Sequence, residues 1–119
     1  MKYTVTARFN VVPASDETAE QLDEHLNQVY EALLAMPLED PDLGGSLTEH
    51  WVDVTMTIRA ASPEGAQRIA RRCIRTAIER AGGTLLDLPD PRQPRQPRRS
   101  SPRRPIFDLE SVGAELVSA

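Results

Sequence analysis

The sequence contains little cysteine, few aromatic residues and no long hydrophobic run. Its single cysteine, Cys73, has no partner among the 119 residues, which excludes a disulfide within the chain. The five aromatic residues leave small and aliphatic side chains to build most of the core. A membrane-spanning helix needs about 20 apolar residues, and no apolar run in the sequence approaches this length. The first residues also lack the apolar stretch of a secretory signal peptide. We therefore expect a soluble cytoplasmic protein with one folded domain.

Residue combinations that carry catalysis or bind metals are also missing. His25 and His50 have no metal-ligand spacing relative to each other or to Cys73. The sequence offers no nucleophile–base pair and no phosphate-binding glycine loop. We predict no metal, no cofactor and no enzymatic activity. A small cleft enzyme or ligand sensor remains an alternative, with a pocket near His50, Trp51 or Arg59.

Charge is unevenly distributed along the chain. Residues 1–61 contain three basic and eleven acidic residues, whereas residues 62–119 contain eleven arginines and seven acidic residues. Such asymmetry is typical of a basic segment that binds polyanions, or of contact between the two halves.

Alternation of apolar and polar residues predicts the strands. It is clearest over residues 3–11 and 51–60, where one face of each strand is apolar and the other polar. Weaker patterns predict short strands over 43–48 and 84–88. The chain is expected to reverse at residues 49–50.

Apolar residues three and four apart predict two helices. The first begins with Ser15 or Asp16 as its cap and stops at Pro37, and the second begins with Ser62 as its cap and Pro63 at the first helical position. Their apolar stripes are Leu22, Leu26, Val29, Tyr30 and Leu33 in the first helix and Ala66, Ile69, Ala70, Cys73, Ala77 and Ala81 in the second. Arginines on the outer side of the second helix are expected to pair with acids of the first, with polyanion binding as the alternative.

The order βαββα, with a final strand, predicts an α+β fold: a ferredoxin-like two-layer sandwich with both helices on one face of an antiparallel sheet. The first and third strands would be central. A partial sheet completed by dimerisation is the structural alternative. Many functions occur on this fold, so the fold by itself names no activity.

The other face of the predicted sheet is polar. Threonines stand where RNA-recognition domains carry stacking aromatic residues, which disfavours RNA recognition by this face. Threonines suit cross-strand pairs and a flat surface that pairs with a second copy. We therefore predict a homodimer, with a solvated polar face as the alternative. The predicted dimer face consists of Thr4, Thr6, Arg8, Trp51, Thr55 and Thr57.

Residues 89–105 differ in composition from the rest of the chain. They include six prolines and six arginines but no aliphatic or aromatic residue, which predicts a disordered, extended linker between a domain at 1–88 and a segment at 106–119. The arginines are candidates for unspecific contacts with nucleic-acid phosphates, which makes a nucleic-acid accessory protein an alternative function. They are Arg92, Arg95, Arg98, Arg99, Arg103 and Arg104.

Residues 106–119 become apolar again. Leu109, Val112 and Leu116 have helical spacing, although Gly113 weakens a free helix, so we expect this segment to become ordered on contact. It would bind a protein partner or its own domain. The leading hypothesis is a homodimeric, non-enzymatic adaptor in which the linker tethers this docking peptide to the domain. The candidate docking residues are Ile106, Phe107, Leu109, Val112 and Leu116.

Overall fold

Two helices cover one face of a five-stranded sheet in this computed structural model, which describes residues 1–14, 17–46, 48–86 and 105–117. The strand order in the sheet is β2-β3-β1-β5-β4. Within the described residues, no helix has the length and apolar character needed to cross a membrane. In chain order the elements are β1 (Lys2–Val12), α1 (Ala19–Leu34), β2 (Glu39–Ser46), β3 (Trp51–Arg59), α2 (Pro63–Arg80), β4 (Thr84–Leu86) and β5 (Ile106–Leu116).

Strand β1 lies at the centre of the sheet and runs antiparallel to both of its neighbours, β3 and β5. Every second side chain of β1 and of β3 is buried beneath the helices, as the alternation predicts. The strand predictions for residues 3–11 and 51–60 are confirmed. The buried residues of the two strands are Tyr3, Val5, Ala7, Phe9, Val11, Val52, Val54, Met56 and Ile58.

The fold class is α+β, as predicted, but the sheet is mixed rather than antiparallel. β4 runs parallel to β5, with Thr84 opposite Ile106. The ferredoxin-like strand order is not confirmed, because β5 lies next to β1 and the three-residue β4 lies at the edge. An eleven-residue strand satisfies more backbone hydrogen bonds in this interior position than a three-residue strand can.

Strand β5 contains Leu109, Val112 and Leu116, so the segment that has helical spacing forms a strand and not a helix. Phe9 lies opposite Leu109 and Arg8 lies opposite Ser111, so Glu110 is an extra residue in a β-bulge. The bulge shifts the alternation by one position. Leu109 and Val112 therefore both pack on the core side although they are three residues apart. That spacing is also typical of a helix.

Helix α1 begins with a reciprocal cap. The Thr18 hydroxyl accepts a hydrogen bond from the Gln21 backbone N–H at 3.1 Å, and the Thr18 N–H donates to the Gln21 side-chain oxygen at 2.9 Å. The predicted caps, Ser15 and Asp16, lie outside the described residues. The helix ends at Leu34, before Pro37, and Tyr30 is half-buried. The remainder of its predicted stripe, Leu22, Leu26, Val29 and Leu33, is buried.

Helix α2 begins as predicted, with the Ser62 hydroxyl accepting from the Gly65 N–H at 3.0 Å. Its buried stripe is rotated relative to the prediction. Ile69 is 39% exposed and Cys73 is half-buried, whereas Ile74 and Ile78 are buried. The helix packs through residues four apart, starting from Ala66, because the alanines in this row allow a close approach to the sheet. The buried row is Ala66, Ala70, Ile74, Ala77 and Ile78.

Strand β2 starts four residues earlier than predicted and includes Pro41. Its register with β3 shifts between Glu39 and Asp42, and Asp40 has a φ of 48°. This irregularity and the edge position accommodate a proline, which has no N–H for the ladder. The predicted reversal before β3 is confirmed, with His50 at a φ of 59°.

Candidate functional site

The six predicted dimer-face residues lie on the sheet face opposite the helices, which we call the open face. The strand register places them in adjacent rows: Thr4 lies opposite Thr57, and Thr6 lies opposite Thr55. Strand β5, which was not part of the prediction, extends these rows beyond β1. Its open-face residues are Ser111, Gly113 and Glu115, opposite Arg8, Thr6 and Thr4 respectively.

The centre of the open face is uncharged and carries small side chains. Thr6 is exposed between Thr55 on one side and Gly113 on the other. A Cβ added to Gly113 would meet no atom within 4 Å, so the surface above this position is open. Small hydroxyl-bearing side chains next to a glycine make a surface that another protein surface can approach closely.

Charged side chains surround this centre, and some of them form ion pairs. Asp53, opposite Arg8, and Glu115, opposite Thr4, also lie on the open face. At one corner, the Glu39 carboxylate lies 3.2 Å from Lys2 Nζ and 3.5 Å from Arg59 Nε. The three side chains are largely exposed, so salt screens these contacts. The pairs link the edge strand β2 to β1 and β3.

Arg8 connects three strands on the opposite part of the open face. Its guanidinium lies 4.3 Å from the centre of the Trp51 ring, and its Nε lies 3.6 Å from Glu110. The Trp51 indole N–H donates to Glu49 at 2.9 Å. Because Arg8 covers one face of the indole, that face is unavailable for stacking on a nucleic-acid base. The contact between Arg8 and Glu110 could not be predicted, because the sequence pattern does not show that β1 pairs with β5.

The candidate docking residues lie in β5, within the sheet of their own chain. Phe107 and Leu109 are each 2% exposed and belong to the core. Ile106 and Val112 are half-buried, whereas Leu116 is 59% exposed. Phe107 and Leu109 therefore anchor the segment in the core.

His25 contacts the docked strand from helix α1. Its ring stacks on Phe107 with the ring centres 6.1 Å apart, and Gly83 lies beside the ring at Nε2. Its buried Nε2 has no hydrogen-bond partner among the described residues. Burial lowers the pKa of His25, and the nearby Glu17 carboxylate opposes this effect in part. His25 is thus neutral at pH 7, and its ring packs at the edge of the core.

The His25 environment predicts a pH dependence of stability. Below pH 6.5 the unfolded chain protonates His25 more readily than the folded chain does, so the free energy of unfolding should fall between pH 6.5 and the lower folded pKa. Above pH 6.5 this contribution is fully present. Urea unfolding across this pH range should show a steeper loss for the wild type than for His25→Leu. The control His50→Asn retains His25 and should retain the wild-type slope; equal slopes for all three proteins would contradict the prediction.

A cleft of about 240 Å³ lies between α1 and the β2–β3 hairpin. Leu26 and Val52 form apolar parts of its wall, and Asp23, Asn27 and Trp51 contribute polar groups. Of the residues named for a predicted pocket, only Trp51 lines this cleft. His50 lies in the adjoining turn, and Arg59 lies at the other end of β3.

The remaining predictions concern metals and the basic linker. Among the described residues, no three histidine, cysteine, aspartate or glutamate side chains are grouped closely enough to hold a metal ion. The predicted polyanion-binding arginines lie outside the described residues: Arg92, Arg95, Arg98, Arg99, Arg103 and Arg104. In comparisons with known proteins, no family model, no curated protein and no solved structure matches this chain.

Proposed function

We propose that the protein is a cytoplasmic, non-enzymatic binding module that forms a homodimer through the open face of its sheet. The observation that carries the proposal is the one-sided architecture. Both helices pack on one face, while the other face presents an uncharged centre of small side chains around Thr6, Thr55 and Gly113. A second copy brings the same small side chains to this centre.

The size of the open face supports a specific but modest interface. Three strands with nine or ten paired residues and β2 with six, about 4.8 Å apart, present a surface on the order of 600 Å² per copy. Two copies would bury on the order of 1,200 Å², the lower end of the range for stable protein–protein interfaces. The expected dimer is therefore reversible and dependent on concentration.

The distribution of charge on the open face also favours pairing of two copies. Thr6 and Thr55 carry no charge, so burying them requires no desolvation of an ion. The paired charges of Glu39, Arg8 and Glu110 lie around this centre, where solvent remains accessible. An uncharged centre with a polar rim is the usual arrangement of an interface.

In this proposal the C-terminal segment serves its own domain by completing the sheet. Support comes from Phe107 and Leu109, which are buried in the core, and from Thr84, whose N–H donates to the Pro105 carbonyl at 3.0 Å. Presentation of the segment to another protein is the alternative. It requires these two anchoring residues to leave the core.

A charge introduced at the centre of the open face tests the dimer. Thr6→Arg should weaken dimerisation by at least about tenfold, because each copy places a long charged side chain where small uncharged side chains of the two copies would meet. Gln28→Arg adds the same charge on helix α1, on the opposite side of the molecule, and should leave dimerisation unchanged. Sedimentation velocity over a concentration series measures both, relative to a chain mass of 13.2 kDa. A wild type that stays monomeric, or equal effects of the two variants, would reject the proposal.

The two other candidate functions retain one supporting feature each. A nucleic-acid accessory role depends on the arginine-rich composition of residues 89–105. A ligand sensor depends on the cleft beside Trp51, which combines apolar walls with the Asp23 carboxylate. The open face is larger than the cleft and is built from the three longest neighbouring strands, so we prefer the dimeric module.

A further inference from the structure

Helix α2 presents a row of arginines on its outer side. Four of them line a surface groove of about 230 Å³. They stand three and four residues apart, so they share one face of the helix. These residues, which we call the arginine groove, are Arg68, Arg71, Arg72 and Arg75.

Like charges stand close together in the arginine groove. Arg68 and Arg72 are four residues apart, as are Arg71 and Arg75, and like charges at this spacing repel each other. Among the described residues, Arg68 and Arg72 are exposed and form no ion pair, while Arg71 and Arg75 make further interactions. The predicted pairing with acids of α1 therefore does not neutralise Arg68 or Arg72. Arg68 and Arg72, two guanidinium groups without an ion pair among the described residues, lie in one groove and indicate a site for an anion.

We propose that the arginine groove binds a short oligophosphate. A guanidinium has a planar fork of N–H donors that matches two oxygens of one phosphate group, and neighbouring arginines can each hold a successive phosphate. The groove is smaller than the pockets of about 300 Å³ or more that take drug-sized ligands, which suits a compact ligand of high charge.

The surroundings of the groove favour a short anion over a long nucleic acid. Helix α1 packs beside α2 and carries exposed acidic residues, including Glu20, Glu24 and Glu31. A polyanion that crosses the helical layer would meet these carboxylates. A short anion confined to the four arginines would lie between Glu64 and Glu79, which stand four residues before Arg68 and four residues after Arg75 on α2. The chain also has a formal net charge of -4, which opposes unspecific binding of nucleic acid.

The composition of the chain's own linker does not suit the groove. Residues 89–105 contain six arginines and one aspartate, so their net charge has the same sign as the arginines of α2. An external anion is the complementary partner.

Cys73 provides a reporter next to the groove. Burial raises the pKa of its thiol, and the neighbouring Arg72 opposes this shift. A phosphate group bound to Arg72 would cancel part of that opposing effect and leave less thiolate at a given pH. Since Cys73 is the single cysteine of the chain, its rate of reaction with a thiol reagent can be measured without labelling.

The test is a calorimetric titration of the full chain with inorganic tripolyphosphate at fixed ionic strength. The double variant Arg68→Gln/Arg72→Gln should bind at least about tenfold more weakly, because two charged hydrogen-bond donors are lost. The matched control Arg59→Gln/Arg80→Gln removes the same charge outside the groove and should bind within about twofold of the wild type. Tripolyphosphate should also slow the reaction of Cys73 in the wild type and the control, but not in the groove variant.

Three results would overturn the proposal. These are no binding by the wild type, equal weakening of both double variants, and preference for a single-stranded oligonucleotide over tripolyphosphate. Binding of tripolyphosphate does not depend on the proposed dimer, because Thr6 lies on the opposite side of the sheet from α2. That variant should bind tripolyphosphate like the wild type, whatever its oligomeric state.

Discussion

Phe107→Ala is expected to lower the free energy of unfolding by about 3–5 kcal/mol, the usual cost of removing a buried phenylalanine. Phe107 is 2% exposed, contacts His25 and lies opposite Val11 in the sheet. The loss would leave a cavity between α1, α2 and the sheet. Because a domain of this size is stable by only about 5–15 kcal/mol, the melting temperature should fall strongly.

Leu116→Ala is the matched control for Phe107→Ala. Leu116 belongs to the same strand but is 59% exposed, so its truncation should change the free energy of unfolding by less than about 1 kcal/mol. Urea unfolding followed by circular dichroism measures both variants. If Phe107→Ala were as stable as Leu116→Ala, β5 would not be packed on its own domain in solution, and presentation of the segment to a partner would be favoured.

Gly45→Ala is expected to destabilise the fold by about 3 kcal/mol. Gly45 has a φ of 146°, which side-chain-bearing residues rarely adopt, and an added Cβ would overlap the Trp51 carbonyl oxygen. The atoms that this Cβ would meet belong to the backbone of β3, so the hairpin must open to relieve the overlap. Overpacking costs about 1–3 kcal/mol, and a strained backbone adds a similar amount.

Gly44→Ala separates this steric effect from a general effect of replacing a glycine. A Cβ added at Gly44 meets no atom within 4 Å, so the variant should be neutral or slightly stabilising. Thermal unfolding of the two variants provides the comparison. Equal melting temperatures would show that β2 does not pair with β3 in the described register.

The elements that the sequence predicts well are those determined by local patterns. Two strands follow from alternation, and the start of α2 follows from the cap at Ser62 and the proline after it. The open-face residues were identifiable for the same reason, since alternation assigns each residue of a strand to one face. Whether that face binds a second copy stays a prediction.

The buried row of α2 shows what a local pattern leaves open. Ile69 and Ile74 are equally apolar, and the helical period permits either to face the sheet. The structure buries Ile74 and exposes Ile69, because the row from Ala66 through Ala70 packs closely on the strands. The rotation of a helix about its axis is decided by the surface it meets.

By itself, the sequence determined the alternating strands, the start of α2, the polar character of one sheet face and the arginine-rich composition of residues 89–105. Tertiary structure alone decided that residues 106–116 form a strand between β1 and β4, because the bulge at Glu110 hides the alternation and the pairing partners in β1 lie about a hundred residues away. It also decided that β4 runs parallel to β5 and that Arg8 joins Trp51 to Glu110. These features depend on contacts between distant segments, which a single strand's pattern of side chains does not specify.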